Sequence, residues 1–213
     1  STSRLNITNS LIEDNYAGIG GAFMLKSVDA DFQSVEVRHN SAEEGGGLFC
    51  ENSKVSVRKS RIQQNRALLM GGGVRMKGSC IALFSGSLIV GNTAAGGGGI
   101  HSSAQSPLDG KSVLHVVNST FSDNVADAGG AILGIGNASF LIVENTLVHS
   151  NRALEGGGFM LTNDSSLYSR NSAFTENKAH IGGASSLVGS SCQILNSTFA
   201  KGKSHKGAAI NVL

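Results

Sequence analysis

Phe121 to Ile132 reads FSDNVADAGGAI: a hydrophobe, two polar residues, an Asn, an Ala two places on, a glycine pair, then a small residue and a hydrophobe. The pattern recurs along the whole chain. Its Asn is Asn15, Asn40, Asn65, Asn92, Asn124, Asn151 and Asn177, with Gly202 in that place in the eighth copy, at steps of 25, 25, 27, 32, 27, 26 and 25 residues. Three residues earlier stands Ile12, Val37, Ile62, Ile89, Phe121, Val148, Phe174 or Phe199. Two before that comes a small hydroxyl, with Val35 the exception. The glycine pairs are Gly20-Gly21, Gly45-Gly46, Gly71-Gly72, Gly97-Gly98, Gly129-Gly130, Gly156-Gly157 and Gly182-Gly183, fading to Gly207-Ala208. Columns of one chemical character are what stacking like positions ~4.8 Å apart requires.

A period near 26 residues is too short for helical-hairpin repeats, and the leucine-rich signature is missing. It fits one coil of an all-β parallel β-helix, with three short strands and three turns per circuit and about eight coils. Hydrophobes alternate after the glycines (Leu48/Cys50, Val74/Met76, Phe159/Leu161) and before the hydroxyls (Leu5/Ile7, Val55/Val57, Leu141/Val143). Such alternation buries one face of each strand and wets the other. An Asn at a corner can accept from one neighbouring coil and donate to the other, forming an amide ladder. The glycines suit a corner where adjacent coils crowd.

The composition points the same way: 29 Gly, one Pro, no Trp and 15% charged residues in 213. The net charge of +2 comes from 17 basic and 15 acidic side chains. Read as spread evenly, these charges argue against an electrostatic nucleic-acid footprint, which would need clustered Lys and Arg. No apolar run approaches the ~20 residues of a membrane span, so no membrane insertion is expected of this segment.

Little is left over for catalysis. Of the seven Asp, Asp14 and Asp123 share a column four coils apart, and Asp29 with Asp31 reads as a solvated inter-coil loop. The histidines His39, His101, His115, His149, His180 and His205 lack metal-ligand spacing. No catalytic residue, metal or cofactor is expected. The longest insertion, His101 to Ser112, carries the only proline, Pro107, and is the candidate contact loop. Cys50, Cys80 and Cys192 are odd in number and form no CxxC. A disulfide framework is not expected, and Cys50 and Cys192 read as small core residues.

Five sequons begin at Asn6, Asn118, Asn137, Asn163 and Asn196. Asn137 and Asn163 fall between coils and are the leading glycan carriers. Asn118 and Asn196 fall in a second Asn column, with Asn9, Asn145 and Asn171, whose amides the stack could occupy.

GGAI (129–132), GGAF (20–23), Phe121-Ser-Asp-Asn124 and Phe174-Thr-Glu-Asn177 resemble the GGA[ILV]/FxxN motif pair of the chlamydial polymorphic outer membrane proteins. Ile or Val replaces Phe in five coils, and residues 1–213 themselves are not expected to include the family's C-terminal membrane barrel. The resemblance implies a right-handed parallel β-helix at a cell surface, commonly adhesive. Residues 1–213 read as one such domain without evident caps, either part of a longer chain or a subunit stacking head-to-tail on itself. The leading expectation is an extracellular structural rod or filament subunit, glycosylated and not an enzyme. The rival is an adhesin binding surface glycans or host-cell partners. A polysaccharide lyase or hydrolase comes third.

Overall fold

The computed structural model describes residues 3–104, 110–136 and 139–213. All paired strands in it are parallel, and most fall into three eight-stranded sheets, each coil giving one strand to each. The first sheet runs from Ser3–Thr8 through Val28–Gln33 and its successors to Ser191–Leu195. The second runs from Leu11–Glu13 to Thr198–Ala200, and the third from Phe23–Lys26 to Ile210–Val212. Strand partners sit one repeat apart, so Val37 pairs with Ile62 and Ile62 with Ile89. A narrower line of bridges follows the Asn column, from Tyr16↔Ser41 to Lys178↔Lys203.

The alternation in sequence becomes an inner stack. Val55, Val57, Phe84, Ile89, Phe121, Leu141, Phe159 and Phe174 are buried in one continuous core. Phe174 and Phe199 stack with ring centroids 4.6 Å apart. One strand face thus supplies the interior without helices, because each coil covers only its neighbours.

The corners have left-handed backbone. The residue before each ladder position takes φ between +53° and +65°, as in Gln64, Gly91, Asp123 and Lys201. The first glycine of each pair does the same, Gly71 at +68°. The second glycine is required for a different reason. A Cβ on Gly72 would lie 2.4 Å from the Gly98 carbonyl oxygen of the next coil, closer than any side chain tolerates.

Four expectations need correction. Asp29 and Asp31 lie on strand Val28–Gln33, not in a loop, because the period-2 pattern passes straight through them. His101, Ser102 and Ser103 belong to strand Ile100–Ser103, and Ser112 opens Ser112–Val117; the insertion is therefore shorter than His101–Ser112, and residues 105–109 of it lie outside the described residues. Cys50 and Cys80 form a disulfide with Cα atoms 6.2 Å apart, leaving Cys192 free. Cys80 sits at the turn where the next coil passes beside Cys50, a neighbour that column spacing alone does not reveal. Finally, the second Asn column is an exposed left-handed corner: Asn118 has φ +50° and Asn196 +46°. Its side chains project outward, and the one contact along it is Asn171 Nδ2 to Asn145 Oδ1 at 3.4 Å.

Candidate functional site

The buried polar groups build the fold rather than a cavity. Asn65 Nδ2 donates to Asn92 Oδ1 at 3.1 Å and to the Val37 carbonyl at 2.9 Å, while its own Oδ1 accepts from the amide and backbone N–H of Asn40. Asn15, Asn40, Asn92, Asn124, Asn151 and Asn177 continue this chain, and from Asn92 to Asn177 they are fully buried. A second ladder uses the hydroxyl column: the Ser60 N–H donates to Ser87 Oγ, Ser87 to Ser119, Thr146 to Ser172 and Ser172 to Ser197. Each pairs backbone that would otherwise be buried unsatisfied. The hydroxyl spacing was visible in the sequence; its hydrogen-bonding role needed the fold.

What remains for a ligand lies outside the tube. The outward face of the first sheet is polar in its early coils, where Arg4, Asn6, Asp29, Asp31, Lys54 and Ser56 line a shallow groove with Ile81 and Leu83. Farther along it turns apolar and aromatic. Ile142 lies in register between His115 and Tyr168, Phe140 beside Val113, and Lys111 Nζ is 5.4 Å from the Phe140 ring centroid. Glu144 closes one side: its Oε1 is 2.9 Å from Arg170 Nη2 and its Oε2 3.1 Å from His115 Nε2. The His115 hydrogen bond, with Arg170 adding its charge, holds that carboxyl below the usual range against some desolvation.

A second polar cluster lies on the outer side of the third sheet. Arg75 is buried, bonding Ser103 Oγ at 2.9 Å and the Met76 carbonyl and pairing with Glu44 at 3.3 Å. Burial lowers its pKa, while Glu44 opposes the shift. His101 faces Arg75 across the strand pair and is 2% exposed. Among the described residues neither ring nitrogen has a hydrogen-bond partner, and burial, helped by the Arg75 charge, pushes its pKa well down.

One group of potential metal donors escaped the sequence reading. Glu13, Asp14 and His39 place ligand atoms within 4.8 Å of one another on adjacent coils. Arg38 already holds Glu13 at 2.7 Å, and Gln64 lies 2.9 Å from His39 Nε2. The other histidines are not drawn into it; His180 and His205 lie against each other at the far end, centroids 4.6 Å apart and ring planes tilted by 49°. Among the sequons, Asn6, Asn118, Asn163 and Asn196 are all exposed. Asn137 lies outside the described residues. No helix of the described residues is long and apolar enough to cross a membrane.

The stacked coils, with one strand per sheet per turn and in-register columns throughout, coincide with what a family model finds. The model, described as "Right handed beta helix region", matches residues 1–212. The chain belongs to that family. No curated protein and no solved structure matches it. Membership in the right-handed β-helix family fixes handedness and architecture, about eight coils with a period near 26 residues, and leaves chemistry to individual surfaces.

Proposed function

We propose that this right-handed β-helix is a non-catalytic structural module displayed outside the cell, a rod that carries contact surfaces on its flanks. The observation that carries this reading is the fate of six of its fifteen acidic side chains. Glu13, Asp31, Glu44, Glu51, Glu144 and Glu176 are each paired with Arg or Lys on an adjacent coil. Carboxylates so engaged tie coil to coil and are poorly placed as a general acid and base. The Cys50–Cys80 disulfide supports an oxidising compartment, and the exposed sequons at Asn163, Asn118, Asn196 and Asn6 suit glycans if the host glycosylates. The GGA[ILV]/FxxN resemblance to chlamydial surface proteins favours the same location.

Self-association is part of the proposal. Contrary to an even spread, residues 1–51 carry eight acidic and three basic side chains, whereas residues 178–213 carry four Lys and no acid. Stacking of one copy's basic coils on another's acidic coils would be head-to-tail and open-ended. Negative-stain electron microscopy over a range of concentrations tests this: filaments with an axial repeat of about 38 Å, at ~4.8 Å per coil, are expected, and short rods at every concentration would remove the stacking. Turnover of polyuronides by the purified chain would overturn the non-catalytic reading. A second reading, a glycan-binding adhesin, is favoured by the half-buried Phe140–Tyr168 face, since aromatic rings at a surface suit sugar rings; substituting both with Ser should then abolish glycan-array binding.

A further inference from the structure

Among the described residues, six of the seventeen Lys and Arg pair with an acid one coil away, and three that do not form a column. Arg152, Lys178 and Lys203 follow the Asn column at its far end and stack in register through parallel bridges, Val125↔Arg152↔Lys178↔Lys203. The backbone bonds Ala153 N–H to Lys178 O and Ala179 N–H to Lys203 O, 3.0 and 2.9 Å, lock that register. All three side chains are exposed. Like charges directly opposite on a sheet are destabilising, so such a column calls for a reason. Lys201, one corner over, adds a fourth cation, held at 3.3 Å by Glu176. These residues line a groove with Ser150, and Asp123 stands at its other end. Four cations against two acids leave the groove at +2, and from Lys178 to Leu213 the chain has no acidic residue.

We propose that this ladder binds a linear sulfated polysaccharide running along the rod axis. The fold sets the cation spacing at ~4.8 Å per coil, on the scale of one sugar unit in an extended glycan chain, so successive sulfates meet successive coils. Sulfate oxygens accept from ammonium and guanidinium groups in charge-assisted bonds, and the Ser150 hydroxyl can meet a sugar hydroxyl. A nucleic acid fits less well. Duplex DNA carries a charge every ~1.7 Å along its axis, and single strands are held by aromatic stacking platforms, which the residues lining this groove do not provide. The groove shares Lys178, Lys201 and Lys203 with the basic end proposed to stack, and it is separate from any binding on the first sheet.

The test is binding of the intact chain to immobilised heparin, with uncharged dextran and oligothymidylate of matched charge as competitors. Lys178→Ser with Lys203→Ser should weaken heparin binding at least about tenfold and reduce the salt-dependence slope by about two. Lys59→Ser with Arg61→Ser, which removes the same charge from another part of the rod, should stay within about twofold of wild type. Lys178→Arg with Lys203→Arg should retain binding, which separates loss of the site from loss of fold. Equal weakening by the two Ser pairs would mean bulk charge alone and would overturn the site. So would absence of heparin binding, or preferential displacement by oligothymidylate.

Discussion

Asn92 Nδ2 donates to Asn124 Oδ1 at 3.0 Å although the two residues lie 32 positions apart, the longest step in the ladder. The insertion between them leaves the corner in register. Asn124 also accepts the Asn92 N–H at 3.0 Å and donates to the Ile89 carbonyl at 2.9 Å, in a site with no solvent exposure. Asn124→Ala strands these groups together, and each buried unsatisfied group costs about 1–3 kcal/mol. We expect a loss of about 3 kcal/mol or more by urea unfolding. Asn15→Ala, at an exposed first rung, should lose under about 1 kcal/mol. Equal effects at the two positions would take the ladder out of the stability account.

The glycine corner gives a steric prediction. Gly72 faces the next coil so closely that a Cβ would meet Gly98 O at 2.4 Å and Thr93 O at 2.5 Å, whereas Gly18 has nothing within 4 Å. Backbone cannot yield as a side-chain tip can. Gly72→Val should cost at least about 3 kcal/mol or prevent folding, and Gly18→Ala should stay within about 0.5 kcal/mol of wild type. Thermal unfolding of both variants decides it.

Columns were legible in the sequence because stacking repeats each chemical demand once per coil. Asn65, Gly72, Phe121 and Ser87 declare themselves by having counterparts at the same place. Features made by only one or two coils have no such echo. Cys80 meets Cys50 across a single turn, Glu13 meets His39 only because adjacent corners align, and Arg75 finds Ser103 by way of one strand pair. The Arg152–Lys178–Lys203 column was readable in principle, one residue after the Asn, but a column that begins as Tyr16, Ser41 and Arg66 has no common character to notice.

The Cys50–Cys80 bond closes a separation of 30 residues, for which loop-closure entropy gives about 3–4 kcal/mol of stabilisation. Dithiothreitol should lower the urea midpoint of the wild type by a corresponding amount and leave a Cys50→Ala, Cys80→Ala variant unchanged. Cys192 behaves differently, since burial pushes its thiol up to about 11 from 9.0. With the folded value raised, its contribution to stability is complete below pH about 9 and is lost as pH rises toward about 11. Iodoacetamide at pH 8 should therefore label Cys192 roughly a hundredfold more slowly in the folded chain than in urea. Equal rates would mean the thiol is not sheltered.

His101 makes the pH dependence of stability specific. Its ring is 2% exposed, faces the Arg75 guanidinium that Glu44 pairs with, and is held neutral by burial and that charge. The folded pKa lies below the unfolded value near 6.5, so the unfolded chain takes up a proton that the folded chain refuses. Stability is therefore complete above about pH 6.5 and falls as pH drops below it, with a slope approaching ~1.4 kcal/mol per pH unit for one proton. His101→Leu removes that uptake while keeping a side chain of similar size. Between pH 6.5 and 5 its unfolding free energy should decline less than that of the wild type; the two proteins share every other side chain, so the difference isolates His101. Parallel curves for the two proteins would mean that His101 is protonated in the folded rod, and that its place between Arg75 and Leu133, its partners in register on the two neighbouring strands, is open to water.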